Sequence, residues 1–183
     1  MSWTIRSAAA ADAPGLAVVY GHHVLHGVGT FEEVPPSADE MGQRLAAVQQ
    51  RGLPYLVAED NGAVVGLAYA GPFRLRAAYR YMVEDSVYVA ASHQGRGVGK
   101  ALLVEVIAAC QALGLRQMVA LIGDSGNAGS VGVHSALGFR RQGVMQAVGY
   151  KHGRWLDVVI MQLALNDGDA SAPTAEGLSL TGV

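Results

Sequence analysis

Apolar residues recur along this chain at two spacings, every second position and every third or fourth, and the switches between them lay out the elements. Residues 3–7 alternate as a first strand. A helical stripe of Leu16, Val19, Tyr20 and His23 follows, with Asp12 as its expected cap and Pro14 in its first turn, and Gly27 and Gly29 break it. Ser37-Ala38-Asp39-Glu40 reads as a capping box opening a second helix that runs to about Gln50 and stops at Gly52. Strands over Tyr55–Glu59 and Ala63–Ala70 flank Asn61-Gly62, a strong short hairpin signal, and Gly71-Pro72 then bends the chain.

A basic, aromatic stretch from Phe73 to Tyr81 leads into a strand over Glu84–Val89. The next helix places Leu102, Leu103, Val106, Ile107, Cys110 and Leu113 at helical spacing and ends at Gly114. Gln117–Ile122 reads as a buried strand, Asn127 as the cap of a short helix, and Phe139–Val148 and Trp155–Leu165 as two last strands. The order β-α-α-β-β-β-α-β-α-β-β mixes antiparallel hairpins with one βα unit, a mixed α/β (α+β) architecture rather than a doubly wound one. Residues 1–165 are expected to form a single domain. Residues 166–183 are polar and small, the composition of a disordered tail.

Where the alternating strand gives way to the central helix, the chain reads His93-Gln94-Gly95-Arg96-Gly97-Val98-Gly99-Lys100. Glycines at alternate positions let backbone N–H groups turn onto a ligand, and the helix N-terminus adds partial positive charge. This is an anion cradle, suited to a phosphate or pyrophosphate. It is not a Walker A loop, since Gln94 and Ala101 occupy the places of its first glycine and its Ser/Thr. Nor is it a dinucleotide fingerprint, because Lys100 stands where the third glycine is needed.

Composition narrows the class without naming a chemistry. The 183 residues are 51% hydrophobic, enough for one substantial core, and the net charge of −2 with a pI near 6.3 argues against a general nucleic-acid or membrane-surface binder. Cys110, the single cysteine, excludes an intramolecular disulfide and falls on an apolar helix face, as a buried thiol would. No secretory signal is visible at Met1-Ser2-Trp3, and no apolar run reaches the roughly 18 residues that span a bilayer, so a cytoplasmic protein is expected. His22, His23 and His26 have no Glu or Cys companion to complete a metal site, and no G-x-S-x-G elbow is present.

With these residues in view, the chain resembles the phosphinothricin and methionine sulfoximine N-acetyltransferases, a branch of the GCN5-related (GNAT) superfamily. The resemblance is carried by Gln94, Gly97 and Gly99 in the pattern Q/R-x-x-G-x-G/A, by Ala68-Tyr69-Ala70-Gly71-Pro72-Phe73, by Glu84–Val89, by His134 with Ala136-Leu137-Gly138-Phe139, and by Lys151–Asp157. It covers roughly residues 3–165. It implies a mostly antiparallel sheet of six to seven strands, splayed in the middle and flanked by helices. It also implies transfer of acetyl from acetyl-CoA to a primary amine without a metal, and relatives of this kind are commonly homodimers.

By the same resemblance, Gln94, Gly95, Arg96, Gly97, Val98, Gly99 and Lys100 would hold the pyrophosphate. Val87, Tyr88 and Val89 would pair with the pantetheine arm as a strand does, with Asn127 bonding it as well. Glu84 matches the family's proposed base and shares a strand face with Ser86 and Tyr88, whereas Asp85 points to the other face. A strand N–H near Val89 would face the developing oxyanion. His134 stands where many members of the superfamily carry a tyrosine, and either gives a proton to the leaving thiolate, bonds substrate or is a buried structural histidine. Phe31, Phe73, Arg74 and Lys151 are the expected substrate contacts, the cations serving an acidic acceptor. The acidic Glu32-Glu33 pair leaves open a cationic acceptor such as a polyamine, an antibiotic or a peptide N-terminus. A non-catalytic acyl-CoA sensor is the remaining alternative.

Overall fold

The computed structural model describes residues 3–180; Met1 and Ser2 at one end and residues 181–183 at the other lie outside the described residues. The alternation near the N-terminus becomes β1 (Thr4–Ser7), which pairs antiparallel with β2 (Tyr55–Asp60), and β2 pairs with β3 (Ala63–Pro72). Asn61 and Gly62 both take the left-handed conformation (φ 50° and 79°), as a tight two-residue hairpin requires. The strand β3 runs two residues past its expected end at Ala70. Phe73 N–H donates to the Met82 carbonyl and Ala70 N–H to that of Pro54, so donors alternate sides and the N of Pro72 points away from β4 (Met82–Val89), beyond the end of β2. A proline there removes no ladder bond.

Two helices cover one face of these strands. In α1 (Ala13–His26), Leu16, Val19, Tyr20 and Val24 are buried, and in α2 (Ala38–Gln50), Met41 and Leu45 are, all packed over Tyr55, Val57 and Leu67. Ser37 caps α2 as its sequence suggests, its Oγ accepting from Glu40 N–H at 3.1 Å. Asp12 does not cap α1 with its side chain. Its two oxygens take both terminal nitrogens of Arg6 at 2.7 Å and the Ala9 N–H, a charge-assisted arrangement stronger than a cap and one that holds its carboxyl below the usual range.

The other face is covered by α3 (Val98–Ala112), where Val98, Leu102, Leu103, Val106 and Cys110 are buried. Burial, with the Asp85 charge adding to it, pushes the Cys110 thiol up to about 12. The chain then forms β5 (Gln117–Gly123), α4 (Ala128–Ala136) and the long hairpin β6 (Arg140–Lys151) and β7 (Arg154–Ala164). The seven-stranded sheet has the order β1-β2-β3-β4-β5-β7-β6, and β4–β5 is its parallel pair.

The segment after Leu165 departs from the expectation of disorder. Residues 166–180 hold no helix or strand, yet Arg116, 9% exposed, donates to Ser171 O and Oγ at 2.6 Å, and the Tyr81 hydroxyl donates to Ala175 O at 3.0 Å. Leu178 packs against the α3-side core, and its N–H donates to Arg80 O. Composition signals disorder because it counts apolar area; here a buried guanidinium needing acceptors supplies the anchor. A chain ending at Leu165 is expected to melt at a lower temperature, with a loss of about 2–4 kcal/mol for one orphaned buried cation and one apolar side chain. Equal melting temperatures for the two chains would show that this segment contributes nothing.

Candidate active site

Pairing between β4 and β5 ends at Glu84–Val119, after only three residue pairs. Ala90 N–H donates to Val65 O at 2.9 Å, so the even-numbered residues of β4 bond β3; the Asp85 N–H closes the last pair, Glu84–Val119, and the Asp85 C=O with the N–H and C=O groups of Val87 and Val89 turn toward the gap. On the far side Asp124 N–H donates to Asp157 O, which turns Leu121 and Gly123 toward the gap as well. The strands enclose a cleft of about 1030 Å³ that α4, the 27–31 loop and the start of α3 also line. A bare strand edge inside a cleft accepts an extended, amide-bearing ligand as an added strand. The Val89 carbonyl is already engaged: His23 Nε2 lies 2.9 Å from it and Gln94 Nε2 3.3 Å. Burial lowers the pKa of His23, so at neutral pH it is an uncharged donor to that carbonyl.

At the mouth of the cleft Gly97 sits in the left-handed region (φ 83°) as the N-cap of α3 and offers no side-chain cap. The N–H groups of Val98, Gly99 and Lys100 precede the first intrahelical bond, Ala101 N–H to Gly97 O, and so remain available to an anion. Gln94, Gly95, Gly97, Val98, Gly99 and Lys100 line the cleft, while the Arg96 side chain is exposed and outside its lining. Asn127 lines it too, but its Oδ1 caps α4 through Ser130 N–H and its Nδ2 points to Gly123 O at 3.4 Å. The helix-cap role is thus occupied and leaves Asn127 at the cleft wall.

Two adjacent carboxylates stand where the strands part. Glu84 shares its face with Ser86 and Tyr88, beneath α1, while Asp85 is on the opposite face, 5% exposed. Burial raises the Glu84 carboxyl above the usual range, the Asp85 charge raises it further, and Arg74 pulls it down. His134 is 2% exposed, with Nε2 3.0 Å from Asp85 Oδ2 and Nδ1 2.7 Å from Ser130 O. Burial disfavours the imidazolium, but the Asp85 hydrogen bond and charge and the Ser130 carbonyl outweigh it and raise the pKa. Both ring nitrogens are therefore engaged, and neither is free to reach a ligand directly.

The loop from Gly27 to Glu33 closes the α1 side. Phe31 lines the cleft and lies so tightly on Gly149 that an added Cβ would come within 2.3 Å of its ring. Lys151, expected to meet the substrate, is 3% exposed, and its Nζ donates to Thr30 O at 2.8 Å; this corrects its placement to the underside of the loop. A buried ammonium takes the nearest carbonyl in preference to a distant ligand. Tyr20 OH donates to Glu32 Oε1 at 2.7 Å and pairs with Thr30 Oγ1, while Arg44 holds both Glu32 oxygens. Phe73 and Arg74 lie outside the cleft lining, with the Arg74 guanidinium 4.7 Å over the Phe73 ring. His23 and the Tyr20–Glu32–Arg44 network did not stand out in the sequence as parts of a site. The signal for His23 was its place on an apolar helical stripe, where a histidine needs a buried partner.

Residues 25–139 match the model of the acetyltransferase (GNAT) family. The chain is a GNAT protein. It is 49% identical over 170 residues to a phosphinothricin N-acetyltransferase from Alcaligenes faecalis, covering 93% of this chain and 86% of that protein. With an L-methionine sulfoximine/L-methionine sulfone acetyltransferase from Salmonella typhimurium it shares 42% over 164 residues, 90% of this chain and 95% of the other. A crystal structure of a phosphinothricin acetyltransferase from Sinorhizobium meliloti in complex with AcCoA superposes with a TM-score of 0.92 at 50% identity, covering 95% of this chain and 94% of that one. The splayed seven-stranded sheet is the GNAT arrangement expected from the sequence.

Gly149→Ala in this GNAT protein drives a methyl group into the Phe31 ring. It is expected to raise the KM for the acceptor several-fold while leaving affinity for acetyl-CoA within about twofold, because the cradle and the bare strand edge are untouched. Steady-state kinetics with each substrate varied would check it, and an unchanged acceptor KM would remove Phe31 from acceptor binding.

Proposed function

We propose that this protein is an acetyl-CoA-dependent N-acetyltransferase acting on the α-amino group of small amino acid analogues such as phosphinothricin or methionine sulfoximine. The observation that carries it is the unpaired backbone of β4 with a raised carboxyl, Glu84, at its foot and an anion cradle at its head. These groups fit acetyl-CoA. The N-terminal N–H groups of α3, with Gln94 to Lys100, suit the pyrophosphate, and the C=O of Val87 with the N–H of Val89 suit the pantetheine amides. When bound, acetyl-CoA supplies an acetyl group activated as a thioester. Residues 1–165 make up the acetyltransferase domain, and the enzyme works in the cytoplasm.

Glu84 receives the proton of the acceptor ammonium, directly or through a water, and so frees the amine to attack. Its raised carboxyl makes it a stronger base than an exposed glutamate, better matched to an amine near neutral pH. The cleft-facing N–H of Val87, the donor nearer Glu84, donates where negative charge develops on the carbonyl oxygen. Arg74, exposed and without a carboxylate partner among the described residues, lies close enough to Glu84 to influence it and serves an acidic end of the acceptor. Phe31 packs over the acceptor from the loop.

Glu84→Gln is expected to bind acetyl-CoA within about twofold of the parent and to lower kcat by about a hundredfold or more. In the parent, the acidic limb of kcat/KM should lie above the ~4.3 of an unperturbed glutamate, with activity gained as pH rises and Glu84 ionises. Free thiol release from acetyl-CoA, followed with phosphinothricin, methionine sulfoximine, methionine sulfone, spermidine and a peptide amine, reads both. Turnover confined to spermidine or the peptide would keep the chemistry and move the acceptor.

The assembly we infer is a homodimer. The strand β6 is a sheet edge, and Val148 (50% exposed), Tyr150 (59%) and Trp155 (64%) form an apolar patch on its hairpin, with the Tyr150 and Trp155 rings 5.3 Å apart. Sedimentation should give twice the chain mass for the parent and one chain mass for Trp155→Glu. A monomeric parent at micromolar concentration would reject the assembly.

A further inference from the structure

Glu84 and Asp85 are neighbours in the chain but belong to opposite faces of the sheet, and the proposed chemistry uses only the first. Asp85 is held by His134 from α4, Oδ2 to Nε2 at 3.0 Å, with side-chain exposures of 1% and 2%. The Ser130 carbonyl, 2.7 Å from Nδ1, can only accept, so Nδ1 carries a hydrogen. The Asp85–His134 contact then holds one more proton, and the natural state of such a contact is a carboxylate bonded to an imidazolium. Asp85 Oδ1 has no hydrogen-bond partner among the described residues, so part of the carboxylate charge is unanswered. Because His134 reaches Asp85 from the far face, the carboxylate is nearer to Glu84 than its counter-ion is.

We propose that Asp85 and His134 form a positioning pair for Glu84: the buried His134 ring is the hydrogen-bonded counter-ion that fixes the Asp85 carboxylate beside Glu84, and the charge so placed acts on Glu84 as it takes the proton. This rests on the reading of Glu84 as the base. Other titratable or charged groups reach these residues from the elements packed around them. Arg74, on the loop after β3, opposes the effect at Glu84, and Tyr69 of β3 interacts with Glu84. Cys110 of α3 feels Asp85, and its thiol is neutral at any working pH. The Phe139 ring, 4.9 Å from His134, and the Ser130 hydroxyl add no charge. His134 is thus a positioning residue acting through Asp85, in place of the direct proton donor to a thiolate considered from sequence.

The pair acts as a unit, and this dictates the test. Asp85→Asn removes the charge outright. His134→Asn removes its counter-ion, and an unpaired negative charge so deeply buried is expected not to persist. Each variant is therefore expected to move the acidic limb of kcat/KM down by about half a pH unit and to lower kcat by about two- to threefold. The double variant should move it no further than either single one. A limb that stays in place in both single variants, or moves upward in His134→Asn, overturns the pairing. Glu84→Gln separates the two claims: if it keeps the acidic limb, the base assignment fails, whereas if it loses the limb while Asp85→Asn does not shift it, this inference alone fails. Should either variant fail to fold, nitrogen-resolved NMR of the parent decides. His134 is expected to remain an imidazolium above pH ~6.5, the ordinary histidine value, and a neutral ring there overturns the proposal.

Discussion

Everything functional in this fold depends on two parallel strands that stop pairing. Beyond Glu84–Val119 the main chains of β4 and β5 leave their N–H and C=O groups bare inside the molecule, and buried backbone without partners is costly. The surroundings meet that cost in part. His23 and Gln94 take up the Val89 carbonyl, and Asn127 reaches the Gly123 carbonyl. What remains unanswered, chiefly the N–H and C=O of Val87 and the N–H of Val89, is a demand for an amide-bearing guest. The site exists because the sheet is left unfinished there.

A second constraint is the handling of charge around that opening. The acidic loop residue Glu32 is bound by Arg44 and Tyr20, and the ammonium of Lys151 is buried beneath the same loop against the Thr30 carbonyl. These interactions fix the loop that carries Phe31 instead of presenting charge to a ligand. The acidity of Glu32-Glu33, which from sequence alone suggested a cationic acceptor, therefore loses much of its weight, since at least Glu32 is neutralised internally. Arg74, by contrast, rests on the Phe73 ring and carbonyl, and among the described residues forms no ion pair, though its charge is felt at Glu84.

The fold was legible in the sequence to a large extent because its signals are local. The Asn61-Gly62 turn, the Ser37 cap, the α3 stripe as far as Cys110 and the alternating glycines before α3 each need only a few neighbouring residues to be read, and each lies where expected, whereas Leu113, read as the last of that stripe, falls past the helix end and is exposed. The same holds for Glu84, whose face follows from period-two alternation. What sequence did not disclose depends on partners far along the chain. Lys151 meets Thr30 across 121 positions, His134 meets Asp85 across 49, and Arg116 meets Ser171 across 55. The tail shows the limit most clearly, since its composition argues for disorder while the acceptors it offers Arg116 give it a place.

The adjacency of Glu84 and Asp85 bears on how such a site tolerates change. Because successive side chains of a strand alternate faces, sliding β4 by a single position against its neighbours would send Asp85 under the acceptor loop and Glu84 toward His134. Both acids would still be present and the anion cradle intact, yet the carboxyl meant to gain a proton would be tied to the imidazole, and the one meant to hold a fixed charge would be open to solvent. Insertions and deletions between Met82 and Glu84 are therefore a graver hazard to this protein than most substitutions of the residues around them. The ladder of β3, with its bonds at every second residue from Met82 to Ala90, is what guards the order of the two acids.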